Sequence, residues 1–142
     1  MTSRLFIFVE QIASMKFVPI FFCSNMREAI DFYTNVLDFN VAPRNSTDDV
    51  VVSLYHGEAI FQLTALPGDQ RAGFAINVFV DNVDELFKKY VRRGLDTSGK
   101  KESPVHQGPI DQTWGRREFY VTDKDGNTMR FAQWITKEVS EG

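Results

Sequence analysis

The feature that most constrains the fold is a repeat, because the order strand, helix, strand, strand, strand occurs twice along the chain. Each predicted helix begins at an asparagine that is followed three residues later by a glutamate, Asn25 with Glu28 and Asn82 with Glu85, as in a capping box. One helix covers only one face of a small sheet, so the opposite face needs a partner. The sequence therefore predicts an α+β protein in which two paired βαβββ modules form a curved mixed sheet around a groove.

Apolar periodicity places the elements of each copy. In the first copy it predicts a strand over 16–23, a helix over 26–37, extended segments over 40–43, 50–54 and 59–65, and a hairpin turn at His56-Gly57. In the second copy it predicts a strand over 74–80, a helix over 83–93, extended segments over 97–103, 118–122 and 128–134, and a turn at 123–127. A longer loop over 100–113 distinguishes the second copy from the first.

These elements divide the chain into four parts. Residues 15–66 are predicted to form the first module and residues 73–136 the second, while 1–14 form an N-terminal appendage and 137–142 a tail. Because Met15 stands directly before the first strand, an alternative hypothesis is that Met15 is the original start.

Composition excludes several classes of function. The 142 residues are 43% hydrophobic with a net charge of −3, and no basic stretch is interleaved with aromatic residues, so nucleic acid is not an expected partner. No apolar run approaches the roughly 20 residues that cross a bilayer, so no membrane association is expected. The single cysteine, Cys23, lies in an apolar run and is interpreted as a buried thiol, which favours a cytoplasmic protein.

Strand alternation separates core-facing side chains from groove-facing ones. Both faces of the first strand are apolar, so alternation leaves its orientation open. The later strands direct four polar side chains into a mainly apolar groove: Gln62, Asn77, Glu118 and Arg130. This composition is typical of a small-molecule site, although alternate polar positions on a sheet are also typical of a solvated face.

Two segments resemble signatures of a known family. Residues 25–39, which begin Asn25-Met26-Arg27-Glu28-Ala29, resemble the first-helix signature of the vicinal oxygen chelate superfamily of glyoxalases, bleomycin-resistance proteins and dioxygenases. Residues 118–127 resemble its signature near the C-terminus, with Lys124 where the family turn has proline. The resemblance spans about residues 16–134 and implies paired βαβββ modules assembled as a homodimer.

Catalytic members of this superfamily hold a divalent metal with histidine and glutamate side chains. The positions that align with those ligands are Val18, Gln62, Ala75 and Arg130. Valine and alanine offer no ligand atom, and arginine brings a cation where a cation would bind. His56 and His106 are interpreted as exposed loop residues. The resemblance therefore predicts no metal and no cofactor.

The segment Trp114-Gly115-Arg116, followed by Glu118-Phe119, is similar to a segment of the bleomycin-resistance branch, with Arg117 as an extra residue. In that branch the tryptophan stacks on the flat aromatic part of the ligand, which implies this role for Trp114. The prediction is a protein that binds or sequesters a small, planar or amphipathic molecule without transforming it. The predicted ligand-binding residues are Trp114, Phe22, Gln62, Asn77, Phe79, Glu118, Tyr120 and Arg130.

Two other functions stay open at this point. The chain could be a lyase, isomerase or dioxygenase-type enzyme with an atypical metal site, or one that works without metal through Glu118, Tyr120 and Arg130. Alternatively it could be an interaction module whose groove is filled by its own side chains, with Phe22, Phe79 and Arg130 large enough to do so.

Overall fold

The structure of the protein is a computed structural model that describes residues 14–135. The first module comprises β1 (Ile20–Phe22), α1 (Met26–Asp31) continuing into a π-helical turn (Phe32–Val36), β2 (Asn40–Val41), β3 (Val51–His56) and β4 (Ala59–Thr64). The second comprises β5 (Ala75–Phe79), α2 (Val83–Arg92), a 3₁₀ turn (Ser98–Lys100), α3 (Pro104–Gln107), β6 (Ile110–Asp111), β7 (Arg116–Thr122) and β8 (Thr128–Trp134).

The two modules share one sheet topology. The first sheet has the strand order β1-β4-β3-β2 and the second has the order β5-β8-β7-β6. In each sheet the first pair of this order is parallel and the other two are antiparallel. The predicted α+β fold with a repeated βαβββ unit is thus confirmed.

Both helices start as the asparagine pattern predicts. The side-chain oxygen of Asn25 accepts a hydrogen bond from the backbone N–H of Glu28 at 3.0 Å, and that of Asn82 accepts one from Glu85 at 3.0 Å. Each bond satisfies a donor that the first helical turn cannot satisfy internally. Gly94 follows α2 with φ of 108°, a conformation that glycine adopts without strain.

The first helix and the first strand differ from their predictions. The helix predicted over 26–37 changes to π-helical hydrogen bonding at Phe32, where the carbonyl accepts from the Leu37 N–H at 3.3 Å. The Thr34 hydroxyl also donates to the Ile30 carbonyl at 2.7 Å, which competes with regular backbone bonding. The first strand is shorter than 16–23 because only Ile20–Phe22 pairs with β4.

The extended segment predicted over 97–103 is wrong. Local bonds favour a turn there, since the Asp96 carboxylate accepts from both the N–H and the hydroxyl of Ser98, at 2.9 and 2.6 Å. The strand that completes the second module lies further along, at Ile110–Asp111, where Ile110 pairs with Glu118. The predicted long loop therefore contains a short helix and this strand. In the first module, the hairpin turn is Gly57-Glu58, since His56 pairs with Ala59.

One apolar core runs under both sheets. Phe61 and Leu63 of the first module and Phe119 and Phe131 of the second are buried in it, as alternation predicted. Phe21 and Cys23 are also buried, which settles the orientation of β1 and directs Ile20 and Phe22 to the opposite face. Burial, together with the nearby carboxylates of Asp125 and Asp123, raises the pKa of the Cys23 thiol to about 11. The thiol therefore stays protonated at neutral pH.

The turn at 123–127 joins the two modules. The Tyr33 hydroxyl donates to the Asp123 carboxylate at 2.7 Å, and the buried Asn127 amide donates to the Phe22 carbonyl at 2.8 Å. Lys124, which stands where the family turn has proline, forms an ion pair with Glu28. This turn therefore fastens the β7–β8 hairpin to β1 and to the first helix with its π-helical turn.

The ends of the chain stay as predictions. Residues 1–13 and 136–142 lie outside the described residues, and with them nearly all of the predicted appendage and the whole predicted tail. Within residues 14–135, the helices are too short or too polar for any of them to cross a membrane.

Candidate functional site

Each sheet has one face that packs on its helix and one that points away from it, and the register defines the second of these. We call the side chains on the away-facing side of the first sheet the first open face: Ile20, Phe22, Val51, Ser53, Tyr55, Ile60, Gln62 and Thr64. The corresponding side chains of the second sheet form the second open face: Ala75, Asn77, Phe79, Arg116, Glu118, Tyr120, Thr122, Thr128, Arg130, Ala132 and Trp134.

A stacked aromatic pair lies at one end of the second open face. The rings of Phe79 and Trp134 are 5.5 Å apart between centroids and nearly parallel, with 15° between their planes. Phe79 remains 50% exposed and Trp134 52% exposed, so the pair presents aromatic surface to solvent. The guanidinium carbon of Arg116 lies 5.4 Å from the Phe79 centroid and 5.7 Å from that of Trp134, which adds cation–π attraction.

Glu118 lies behind this pair and is fully buried. Its Oε2 accepts from Trp114 Nε1 at 3.2 Å and lies 2.7 Å from Arg116 Nε, and its Oε1 accepts from the Tyr120 hydroxyl at 3.1 Å. The Arg116 Nε–H is buried without a directed acceptor, so proximity and charge hold this ion pair. Burial and the Glu118 charge raise the pKa of Tyr120, which keeps its hydroxyl a donor. The carboxylate therefore holds three side chains of the open face in place.

A second arginine occupies the middle of the same face. Arg130 pairs with Tyr120 on one side and Asn77 on the other, and its guanidinium carbon lies 4.9 Å from the Tyr120 ring centroid. Arg130 is exposed, and no carboxylate in residues 14–135 forms an ion pair with it. Its charge is thus available at the surface.

The predicted ligand-binding residues fall into two groups. Asn77, Phe79, Glu118, Tyr120 and Arg130 lie on the second open face, and Trp114 is bonded to it through Glu118. Phe22 and Gln62 lie on the first open face, where Gln62 Nε2 donates to the Ser53 hydroxyl at 3.2 Å. Among the described interactions, no hydrogen bond, ion pair or aromatic contact joins side chains of the two groups.

Sequence reasoning missed Trp134 and Arg116. A usable signal was present, because alternation that continues from Arg130 and Ala132 reaches Trp134 on the same face. The pairing of Arg116 with Trp134 could not be seen without the register of β7 and β8.

The four positions that align with the family's metal ligands do not fit a divalent cation. Val18 and Ala75 have no donor atom, Gln62 is engaged with Ser53, and Arg130 is cationic. Within the part of the chain that the structure describes, no three side chains of histidine, cysteine, aspartate or glutamate lie close enough together to hold a metal.

The two histidines occupy different settings. His56 is exposed, as predicted, but it is the last residue of β3 and not a loop residue, with Nε2 3.7 Å from the Asp38 carboxylate. The prediction that His106 is an exposed loop residue is wrong: it is half-buried on α3, with Nδ1 2.9 Å from the Ser103 hydroxyl and Nε2 2.9 Å from the Thr122 hydroxyl. Burial lowers the pKa of His106. Its ring lies edge-on to Tyr120 and lines a cavity of about 230 Å³ beside β7.

Comparison with known proteins agrees with this repeated fold. The family model described as the Glyoxalase/Bleomycin resistance protein/Dioxygenase superfamily matches residues 12–131. The chain therefore belongs to this superfamily. Among curated proteins, no match was found.

Solved structures of low sequence identity share the fold. A member of the superfamily from Sphaerobacter thermophilus DSM 20745 is 22% identical with a TM-score of 0.60, over 84% of this chain and 98% of that one. A bleomycin-binding protein complexed with bleomycin is 20% identical with a TM-score of 0.66, again over 84% and 98%. A bleomycin resistance determinant encoded on the transposon Tn5 is 20% identical with a TM-score of 0.68 over the same shares.

Proposed function

We propose that this protein binds a small planar or amphipathic molecule on the second open face and sequesters it without chemical change. The observation that carries the proposal is the Phe79–Trp134 stack, whose rings are held nearly parallel yet stay half-exposed. Exposed aromatic surface with fixed geometry favours a flat guest, because a third ring extends the stack at little cost in side-chain entropy. Sequestration of an antibiotic is one form that this function could take.

Binding is favoured over catalysis by the state of Glu118. A general base needs an oxygen that can reach a substrate proton. Both Glu118 oxygens already have partners, and the side chain is buried beneath Trp114, Arg116 and Tyr120. Glu118 is therefore suited to positioning the aromatic and cationic groups above it.

The absence of a bound metal is part of the proposal, and it rests on the donor set at the aligned positions. The competing function is an enzyme of the same superfamily with an atypical metal site. Elemental analysis of protein purified without chelator separates the two. Near-stoichiometric zinc, nickel, iron or manganese would favour the enzyme, and less than about a tenth of an equivalent supports the binding protein.

We further propose that two copies of the chain form a homodimer, in which the second open face of each chain lies opposite the partner and the guest is held between them. The support is the aromatic surface that one chain leaves uncovered at Phe79, Trp114 and Trp134. A patch of this kind is uncommon on a monomer unless it is a binding or association site. Light scattering coupled to gel filtration gives the mass directly, and a monomer at micromolar concentration would contradict this part. The single buried thiol is compatible with a cytoplasmic location, which we include in the proposal.

Intrinsic fluorescence tests the binding proposal. Trp114 and Trp134 are the only tryptophans of the full chain, and both belong to this site. A guest that stacks here should quench or shift the emission in proportion to binding measured by calorimetry. Candidates come from a thermal-shift screen of planar molecules, with bleomycin included.

Two single variants sharpen this test. Trp114→Phe and Trp134→Phe each leave one reporter, and both reporters should respond to the same guest. A guest that stabilises the protein without changing either emission binds elsewhere, and it would contradict the proposed site.

A further inference from the structure

The charge of the open faces differs from the charge of the whole chain. The chain carries a net charge of −3. The first open face consists of uncharged side chains. The charged side chains that β5, β7 and β8 direct to the second open face are two arginines and one glutamate: Arg116, Arg130 and Glu118. An acidic chain has thus placed a cationic excess on the face that carries the exposed rings of Phe79 and Trp134.

The single anion of this face is hidden from a guest. Glu118 is fully buried, and Arg116 lies 2.7 Å from its carboxylate, so these two charges largely cancel. Arg130 is the remaining charge, and it is exposed. Its neighbours across the sheet are Tyr120 and Asn77, neither of which neutralises it. An arriving ligand therefore meets a guanidinium with free N–H donors.

Spacing along β8 relates this guanidinium to the aromatic stack. Arg130 and Trp134 are four residues apart on one strand, and a strand rises about 3.3 Å per residue, so their Cα atoms are about 13 Å apart. Both side chains point to the same face. A fused two-ring system with an acidic substituent can lie on the stack while its acid group reaches toward the long Arg130 side chain.

We propose that the ligand of this site is a planar aromatic anion, with its rings on Phe79 and Trp134 and its anionic group on Arg130. This inference rests on the proposed binding function and specifies its ligand class. A guanidinium binds a carboxylate through paired hydrogen bonds that an amide or an ammonium cannot reproduce. A cationic drug would place its charge beside Arg130 without an exposed carboxylate on this face to offset it.

A matched series of probes tests the charge preference. 2-Naphthoate, 2-naphthamide and 2-naphthylmethylammonium share one ring system and differ in charge. Calorimetry at low salt should give the naphthoate an affinity about tenfold above that of the amide, with the ammonium weakest, as expected for one charge-assisted contact. Naphthalene-2-sulfonate, added as a fourth probe, distinguishes a carboxylate-specific site from a general site for aromatic anions.

Variants assign the preference to Arg130. Arg130→Gln should lower naphthoate affinity to that of the amide while leaving amide affinity unchanged, and Arg130→Lys should retain part of the preference. Arg92→Gln is the matched control, because it removes an exposed arginine from α2 and leaves the open face intact.

Three results would each contradict a part of the proposal. Tighter binding of the ammonium than of the naphthoate would overturn the anion preference and leave the proposed binding function standing. An equal loss in Arg130→Gln and Arg92→Gln would overturn the assignment to Arg130. If no probe binds at millimolar concentration and the tryptophan emission stays unchanged, the proposed binding site itself fails.

Discussion

The two open faces have the same backbone framework and different side chains. In the first sheet, Phe22, Thr64 and Val51 form one row across the strands, and the matching row of the second sheet is Phe79, Ala132 and Glu118. The next row is Ile20, Gln62 and Ser53 in the first sheet, against Asn77, Arg130 and Tyr120 in the second. Only phenylalanine recurs at equivalent positions of these rows, so the two copies share a scaffold and the charge is concentrated on one of them.

The helix-facing sides of the modules share an apolar character. Both helices have an asparagine cap, and aromatic rings pack under both sheets, as in Phe39 with Phe61 and Tyr90 with Phe131. The side chains that build the fold are therefore apolar in both copies, although the residue types differ. The side chains of the open faces, which do not pack in the core, differ between the copies. This difference indicates that ligand specificity resides on the open faces.

The largest expected effect is the loss of stability when the buried carboxylate of the second open face is removed. Glu118→Ala would leave the Arg116 guanidinium without its counter-charge and the Trp114 and Tyr120 donors without their acceptor, so the free energy of unfolding should fall by about 3 kcal/mol. Val51→Ala, at the equivalent position of the first face, should cost less than about 1 kcal/mol, since Val51 is exposed. Urea unfolding of both variants measures this, and a loss below about 1 kcal/mol for Glu118→Ala would mean that the carboxylate does not organise the face.

The next largest expected effect is a loss of stability in the second hairpin, which is compared with the same kind of change in the first hairpin. Asn127→Ala removes a buried amide that donates to the Phe22 carbonyl and accepts from the Gly73 N–H at 3.0 Å, and should cost about 2 kcal/mol. Glu58→Ala, in the shorter hairpin of the first module, should be nearly neutral because Glu58 is exposed. Thermal unfolding measures both changes. Equal shifts in Tm would contradict the role of the second hairpin as the joint between modules.

Most of the fold was predictable because the spacing of apolar residues in the sequence follows which side chains are buried. Phe61, Leu63, Phe119 and Phe131 alternate with more polar neighbours, and the asparagine caps mark both helix starts, so the repeat emerges from local pattern. The strand β6 was misplaced at 97–103 because its position depends on which residues pair with β7. The 3₁₀ turn that occupies 98–100 instead was missed. The orientation of β1 needed the packed core, since both of its faces are apolar.

Less of the candidate site was predictable. Alternation was sufficient to propose Arg130 and Phe79 for one face, and the structure places both there. The role of Arg116 depends on two non-local relations, its register with Trp134 and its approach to Glu118. Residues 25–39 and 118–127 carried the family resemblance, but the tertiary joint that the second segment makes with Tyr33 and Phe22 is visible only in the folded chain.

A third experiment asks whether the faces contribute unequally to binding. Trp114→Ala should weaken binding of a planar guest by about tenfold, which is about 1.4 kcal/mol, and leave the unfolding curve nearly unchanged, since Trp114 is 53% exposed. Phe22→Ala, on the first open face, should weaken it less. Calorimetry with one guest compares them. Unchanged affinity in Trp114→Ala would remove that residue from the site, and equal losses would make the two faces equal partners.

A fourth pair of variants probes what the modules share. Asn25→Ala and Asn82→Ala each remove one cap bond of 3.0 Å, and each should lower the free energy of unfolding by about 1 kcal/mol. The corresponding serine variants retain a capping oxygen and should recover most of this. Urea unfolding resolves changes of this size. Costs that differ by more than about twofold would place the asymmetry of the modules in their helices as well as in their open faces.

The smallest expected effect is on the pH dependence of stability. It involves the longer segment over 100–113 that distinguishes the second module from the first. Burial lowers the pKa of His106 below its ordinary value of 6.5, so the unfolded chain binds a proton more readily than the folded chain as pH falls through this range. His106 therefore makes stability decline from pH 7 toward pH 5, by no more than a few tenths of a kcal/mol for a half-buried group. His106→Gln should flatten this part of the pH profile, whereas His56→Gln should retain it because His56 is exposed. A decline that persists unchanged in His106→Gln would mean that other groups set the acid sensitivity of the second module.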